Sequence, residues 1–135
     1  LVNKKASSGM KVGTHGSTYG GNPLAMAVVN TVLDHLTNKD FQKKVANVGN
    51  YLKDRLENEI LKKFPNLVKS VRGRGLMLGL EGKIKNEVLI KALTKKKILT
   101  VKASQNIVRL LPPLILENKH VDEAIEKFDK AFSSL

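Results

Sequence analysis

Between residues 23 and 36 the run "PLAMAVVNTVLDHL" is apolar around most of its circumference and carries no charge before Asp34. That pattern predicts a helix buried on more than one side. Asn22 stands where an N-cap is needed, and Pro23 costs nothing at the first helical position because its missing N–H would go unpaired there. A second helix is predicted from about Phe41 to Phe64, where Phe41, Val45, Val48, Leu52, Leu56 and Ile60 fall on one stripe and Pro65 ends the run. The next stretch, "LVKSVRGRGLMLGLEG", changes period. It shows strand character at 67–72, then alternates Leu76, Leu78 and Leu80 with Met77, Gly79 and Glu81, which predicts either a strand pair or one bulged strand.

A third helix is expected at about 85–97 with Val88, Ala92 and Leu93 inward, followed by short strands at 98–102 and 106–111. Pro112 and Pro113 end the pairing, since proline cannot donate to a ladder. A final helix from about Val121 carries Val121, Ala124, Ile125, Phe128 and Phe132 on one face. The order of elements predicts an α+β fold, a small and mostly antiparallel sheet with helices on one face, preceded by a long connecting helix. At 135 residues and 41% hydrophobic content, one compact unit with its own core is the expectation.

Composition narrows the chemistry. The absence of cysteine excludes disulfides, thiolate metal sites and cysteine nucleophiles. No apolar run approaches the roughly 20 residues that a bilayer helix needs, and the first residues lack a secretion-signal pattern, so a soluble, cytoplasmic protein is expected. A formal charge of +12 raises nucleic acid as a partner, and a basic binding module is the alternative reading from another functional class. Against it, arginine occurs only at Arg55, Arg72, Arg74 and Arg109, and 4% aromatic residues leave little for base stacking. The one dense cluster is "TKKKI" at 94–98.

The loop "THGSTYGGNPLA", 14–25, has the parts of an anion site: hydroxyls on Ser17 and Thr18, glycines that permit close backbone approach, and a helix start with unpaired N–H groups. No Walker-type lysine follows, which argues against nucleotide hydrolysis, and a plain turn is the commoner origin of such a pattern. Arg109, read by pattern alone, is a strand charge pointing to water. His15, His35 and His120 share no metal-ligand spacing and read as turn or cap residues, and the carboxylates are scattered on helix faces without an acid–base pair.

Three motifs taken in order, "GTHGSTYGGNPLAMAV" at 13–28, "VRGRGLMLGLE" at 71–81 and "ILTVKASQNIVRLLPPLIL" at 98–116, resemble the carboxy-terminal part of class III aminotransferases, with the acetylornithine branch nearest. The resemblance implies the small domain of a fold type I, pyridoxal-phosphate-dependent enzyme that moves an amino group from N-acetylornithine to 2-oxoglutarate in arginine biosynthesis. The ornithine, succinyldiaminopimelate and 4-aminobutyrate branches are the alternatives. It further implies a homodimer in which Thr18 grips a cofactor phosphate bound mainly by the neighbouring subunit, with Ser17 beside it near substrate and cofactor. Arg109 is implied to meet a substrate carboxylate or an acidic side chain of the large domain. Arg72 and Arg74 are assigned to backbone geometry and surface. On this reading 1–22 closes the large domain, 23–66 forms connecting helices and 67–135 is the small domain.

The resemblance also implies what the chain lacks. The family's Schiff-base lysine lies on a glycine-flanked turn upstream of the loop, and Lys4, Lys5 and Lys11 have no such setting. No catalytic residue is therefore assigned, and the isolated chain is expected to be inactive. One departure from the family pattern is "KKKILTVKASQN", where lysines replace a glycine-rich approach to the arginine strand.

Overall fold

The computed structural model describes residues 2–135, and the chain divides into two units, 1–38 and 39–135, in place of the single compact unit expected from length. The first unit holds a four-residue helix, α1 (Lys4–Ser7), and α2 (Pro23–Leu36). Asn22 caps α2 as its position predicts: its side-chain oxygen accepts the Ala25 N–H at 3.1 Å, and Pro23 occupies the first turn. The expected burial of α2 does not occur. None of its residues is buried, and Leu24, Val28, Val29, Val32 and Leu33 are all exposed. A unit built of one short and one longer helix has no second layer to set against an apolar surface.

The second unit starts with α3 (Lys39–Arg55), which runs into a π-helical turn at Leu56–Leu61. Two strands follow, β1 (Val68–Arg74) and β2 (Met77–Gly82), then α4 (Asn86–Lys95), β3 (Val101–Ala103), β4 (Ile107–Leu110) and α5 (Asn118–Phe132). The strands form one sheet in the order β1-β2-β4-β3, and every neighbouring pair is antiparallel. The "RGRG" segment thus makes a strand pair, with a register irregularity between Val68 and Ser70. Gly73 adopts φ +118°, a conformation that strongly favours glycine, and lies under the Met77 carbonyl as the chain tightens into the turn.

Alternation along the strands sorts the sheet into two faces. Val71, Leu80 and Val108 share one register row, and Leu78 and Leu110 another, all buried against the helices. Their sequence neighbours Arg72, Gly79 and Arg109 share a row on the opposite face, which no helix of this unit covers. This is the α+β arrangement expected, with helices on one face of an antiparallel sheet.

The core combines Val48, Leu52, Leu56 and Ile60 of the first helical run with Leu89, Ala92 and Leu93 of α4 and Val121, Ile125, Phe128 and Phe132 of α5. Phe132 meets both Phe64 and Phe128 edge to face, with centroids 5.7 Å apart in each pair. That geometry sets the positive ring edge against the negative face. In α4 the inward position belongs to Leu89, whereas Val88, expected inward, is exposed. With Asn86 buried at the start of the helix, the face 86, 89, 92, 93 turns to the core and 88 rotates outward.

Candidate functional site

The Ser17–Thr18 loop is shaped by two successive turns. Gly20 N–H donates to the Ser17 carbonyl at 3.1 Å and Asn22 N–H to that of Tyr19 at 3.2 Å, while Gly21 supplies a φ of +76° between them. Both side chains are exposed, and neither hydroxyl has a hydrogen-bond partner among the described residues.

The helix that follows offers fewer free donors than its sequence suggests. Pro23 has no N–H and Asn22 occupies that of Ala25, so Leu24 N–H is the free amide of the first three positions. An anion held here would depend chiefly on the two hydroxyls. His15 lies in an exposed bend beside the loop, and Lys4, Lys5 and Lys11 are exposed, the first two in the short α1.

Ser17 and Thr18 belong to the first unit and Arg109 to the second. Arg109 sits in β4 between the buried Val108 and Leu110, so its side chain emerges on the uncovered sheet face. It is exposed and has no ion pair among the described residues. An unpaired, planar, five-donor cation on a rigid strand suits a carboxylate better than a lysine in the same place would.

On the same face Glu81 is the group that sequence reasoning passed over. Its side chain is only 13% exposed and accepts from Lys69 at 2.7 Å, from Ser70 at 2.8 Å and from Arg72. Lys69 and then Ser70 hold the carboxyl down at about 2, with the Arg72 charge adding to them. The signal lay in the strand-pair register, which places Ser70 opposite Glu81 and could not be read before the turn was fixed. Arg74 is exposed at the turn.

Other polar groups tie the helices of the second unit together. Arg55 links Tyr51, Glu59 and Asp122, and Tyr51 donates to Asp122 at 2.6 Å, tying α3 to α5. The Asp122 bond, ahead of burial, raises the Tyr51 phenol, and the same bond lowers the Asp122 carboxyl. His120 completes a capping box with Glu117, accepting its N–H at 3.2 Å. Lys95, Lys96 and Lys97 end α4 as an exposed corner. Among the described residues, no helix is long and apolar enough to cross a membrane.

Comparison with known proteins gives this geometry a family. The profile of class III aminotransferases matches residues 1–132. Acetylornithine aminotransferase from Brucella melitensis is 42% identical over the whole chain, which covers 33% of that protein. The mitochondrial acetylornithine aminotransferase of Saccharomyces cerevisiae is 39% identical, again over the whole chain and with 32% of the relative covered. Among solved structures, acetylornithine aminotransferase from Elizabethkingia anophelis superposes with a TM-score of 0.78 at 29% identity, covering 100% of this chain and 36% of that one. Ornithine aminotransferase from Plasmodium yoelii gives 0.80 at 31% identity, covering 99% and 36%. The chain spans about a third of the length of the curated relatives it matches. It belongs to the class III aminotransferases, a family dependent on pyridoxal phosphate.

Proposed function

We propose that this chain is the carboxy-terminal part of an acetylornithine-type aminotransferase, contributing a cofactor-phosphate loop and the small α+β domain. The full enzyme would transfer an amino group from N-acetylornithine to 2-oxoglutarate, giving N-acetylglutamate semialdehyde and glutamate, in the cytoplasm and as a homodimer. The reading is supported by identity to acetylornithine aminotransferases across the whole chain, joined to one structural observation: two adjacent hydroxyls, on Ser17 and Thr18, stand exposed with no hydrogen-bond partner among the described residues.

Those residues fit a phosphate ester. Hydroxyls pointing to solvent lose no internal bond when they donate to an anion, and a doubly charged oxyanion makes such bonds stronger than neutral ones. Thr18 would hold the phosphate, with Ser17 beside it near substrate and cofactor. Arg109 takes a substrate carboxylate and orients the amino-bearing carbon. When bound, pyridoxal phosphate supplies the electron sink for the transfer. The base that moves the proton is assigned to a lysine outside this sequence, so the chain alone is inactive.

The test is to treat the purified chain with pyridoxal phosphate and borohydride. Absence of a stoichiometric adduct and of turnover is expected; a single modified lysine together with transaminase activity would overturn the reading. In the full-length enzyme, Thr18→Val should weaken cofactor binding by about tenfold, the loss of one charge-assisted hydrogen bond.

A further inference from the structure

The second unit holds a cavity that neither the loop nor the open sheet face uses. It lies where β4 runs out into Pro112 and Pro113, and its buried floor is Leu52 of α3, Leu110 of β4 and Val121 and Phe128 of α5. Leu99 and Leu111, both exposed, edge it. Its volume is about 270 Å³. An apolar cavity of about 150 Å³ already admits benzene, so this one has room for a substituted ring.

His120 is the one polar side chain in the lining. Its Nδ1 accepts the Glu117 N–H at 3.2 Å in the capping box of α5, and a ring nitrogen that accepts carries no hydrogen. The neutral imidazole therefore has its N–H at Nε2, away from the cap, where it meets no partner among the described residues. The cavity thus offers apolar walls and one uncharged donor. A carboxylate would give up its hydration there for a single neutral hydrogen bond, which disfavours an anion. A ligand with no acceptor would leave the donor unmet.

We infer that this cavity binds a small neutral aromatic molecule with one hydrogen-bond acceptor, its ring against Leu110, Val121 and Phe128 and its acceptor on His120 Nε2–H. The floor is fixed in advance, because its side chains belong to the core that joins α3, β4 and α5. The donor is fixed as well: the bond that starts α5 selects the tautomer that the ligand meets. Leu110 follows Arg109 directly, so an occupant bears on the end of the strand that carries it. The inference is independent of the roles given to Ser17, Thr18 and Arg109.

The experiment titrates the full chain, with leucine and valine methyls labelled with carbon-13, at pH 8. Acetophenone should shift the methyls of Leu110, Leu116 and Val121 and bind at about 1 mM or tighter, whereas benzoate, its anionic counterpart, should leave them unmoved. His120→Glu keeps a capping-box partner at that position but removes the donor. It should weaken acetophenone about fivefold and leave ethylbenzene, the same shape without an acceptor, unchanged. Ala124→Leu fills the space and should abolish binding of both with a Tm no lower than the parent's, a result that a misfolded variant cannot produce. If acetophenone moves none of these methyls, or Ala124→Leu binds it as the parent does, the inference falls. Equal responses of the two ligands to His120→Glu, or tighter binding of benzoate, overturn it too. So do methyl shifts that follow protein concentration alone, which would mark the cavity as the seat of a second copy.

Discussion

Gly49 in α3 lies directly against Gly75 in the β1–β2 turn: a Cβ on Gly49 would be 2.6 Å from the Gly75 carbonyl carbon and 2.8 Å from its Cα. The obstruction is backbone on both sides, so no side chain can swing away to relieve it. Alanine at 49 would gain up to about 1 kcal/mol in helix propensity. Overpacking against a fixed backbone costs about 1–3 kcal/mol or more, and it wins. Gly49→Ala is expected to lower the urea midpoint and the Tm by several degrees. An unchanged or raised Tm would show that helix and turn are not in register as described.

Asn106 ties three segments together in the second unit. Its side chain donates to the carbonyls of Gly82 at 2.7 Å and Ile84 at 2.8 Å and accepts from Asn86 N–H at 2.8 Å, while its own φ is +61°. Asn106→Ala loses the bonds and adds left-handed strain; Asn106→Gly loses the bonds alone. Both should destabilise, the alanine variant by about 1 kcal/mol more than the glycine one. Chemical denaturation of the two variants and the parent measures the difference. Equal losses would assign the whole effect to the hydrogen bonds.

How far the sequence anticipated these features depends on the range of the interaction. The Asn22 cap, the Pro23 start and the stripe of Val48, Leu52, Leu56 and Ile60 are local, and each stands where spacing predicted. Strand character at 67–82 was also legible, because the alternation of Leu76, Leu78 and Leu80 is a short-range signal, but whether that stretch forms a strand pair or one bulged strand was decided by the fold. Asn106 and Glu81 were not legible, since each gains its role from partners that only strand pairing brings near. Val88 was misplaced because one exposed valine fits a helical stripe as well as Leu89 does until the sheet decides which face turns in. Of the candidate site, the residue types at 17, 18 and 109 could be read directly, while the free state of their polar atoms required the fold.

Glu81 makes stability depend on acid in a defined direction. Its carboxyl is held at about 2 in the folded chain against an ordinary value of 4.5, through Lys69 first and Ser70 next. A depressed folded pKa means that the contribution is fully present above about 4.5 and is lost as pH falls toward 2. Urea midpoints of the parent and of Glu81→Gln should therefore converge between pH 5 and pH 2.5, the parent losing its advantage. A gap that stays constant over that range would mean that Glu81 titrates alike in both states.

The loop allows hydroxyl binding to be separated from helix-end binding. If phosphate is held by the helix end, the controlling group is a free amide, and Leu24 supplies the one left by Pro23 and the Asn22 cap. If it is held by hydroxyls, Thr18 controls it. Glycine at an N-cap costs only a few tenths of a kcal/mol relative to asparagine, so Asn22→Gly keeps the helix and releases Ala25 N–H as a second amide. In the full-length enzyme, helix-end binding predicts tighter cofactor with Asn22→Gly and little change with Thr18→Val. Thr18, exposed and without a hydrogen-bond partner among the described residues, predicts the reverse, a loss of about tenfold with Thr18→Val and near-parent affinity with Asn22→Gly. Cofactor dissociation followed by absorbance distinguishes the two, because the variants move in opposite order under each.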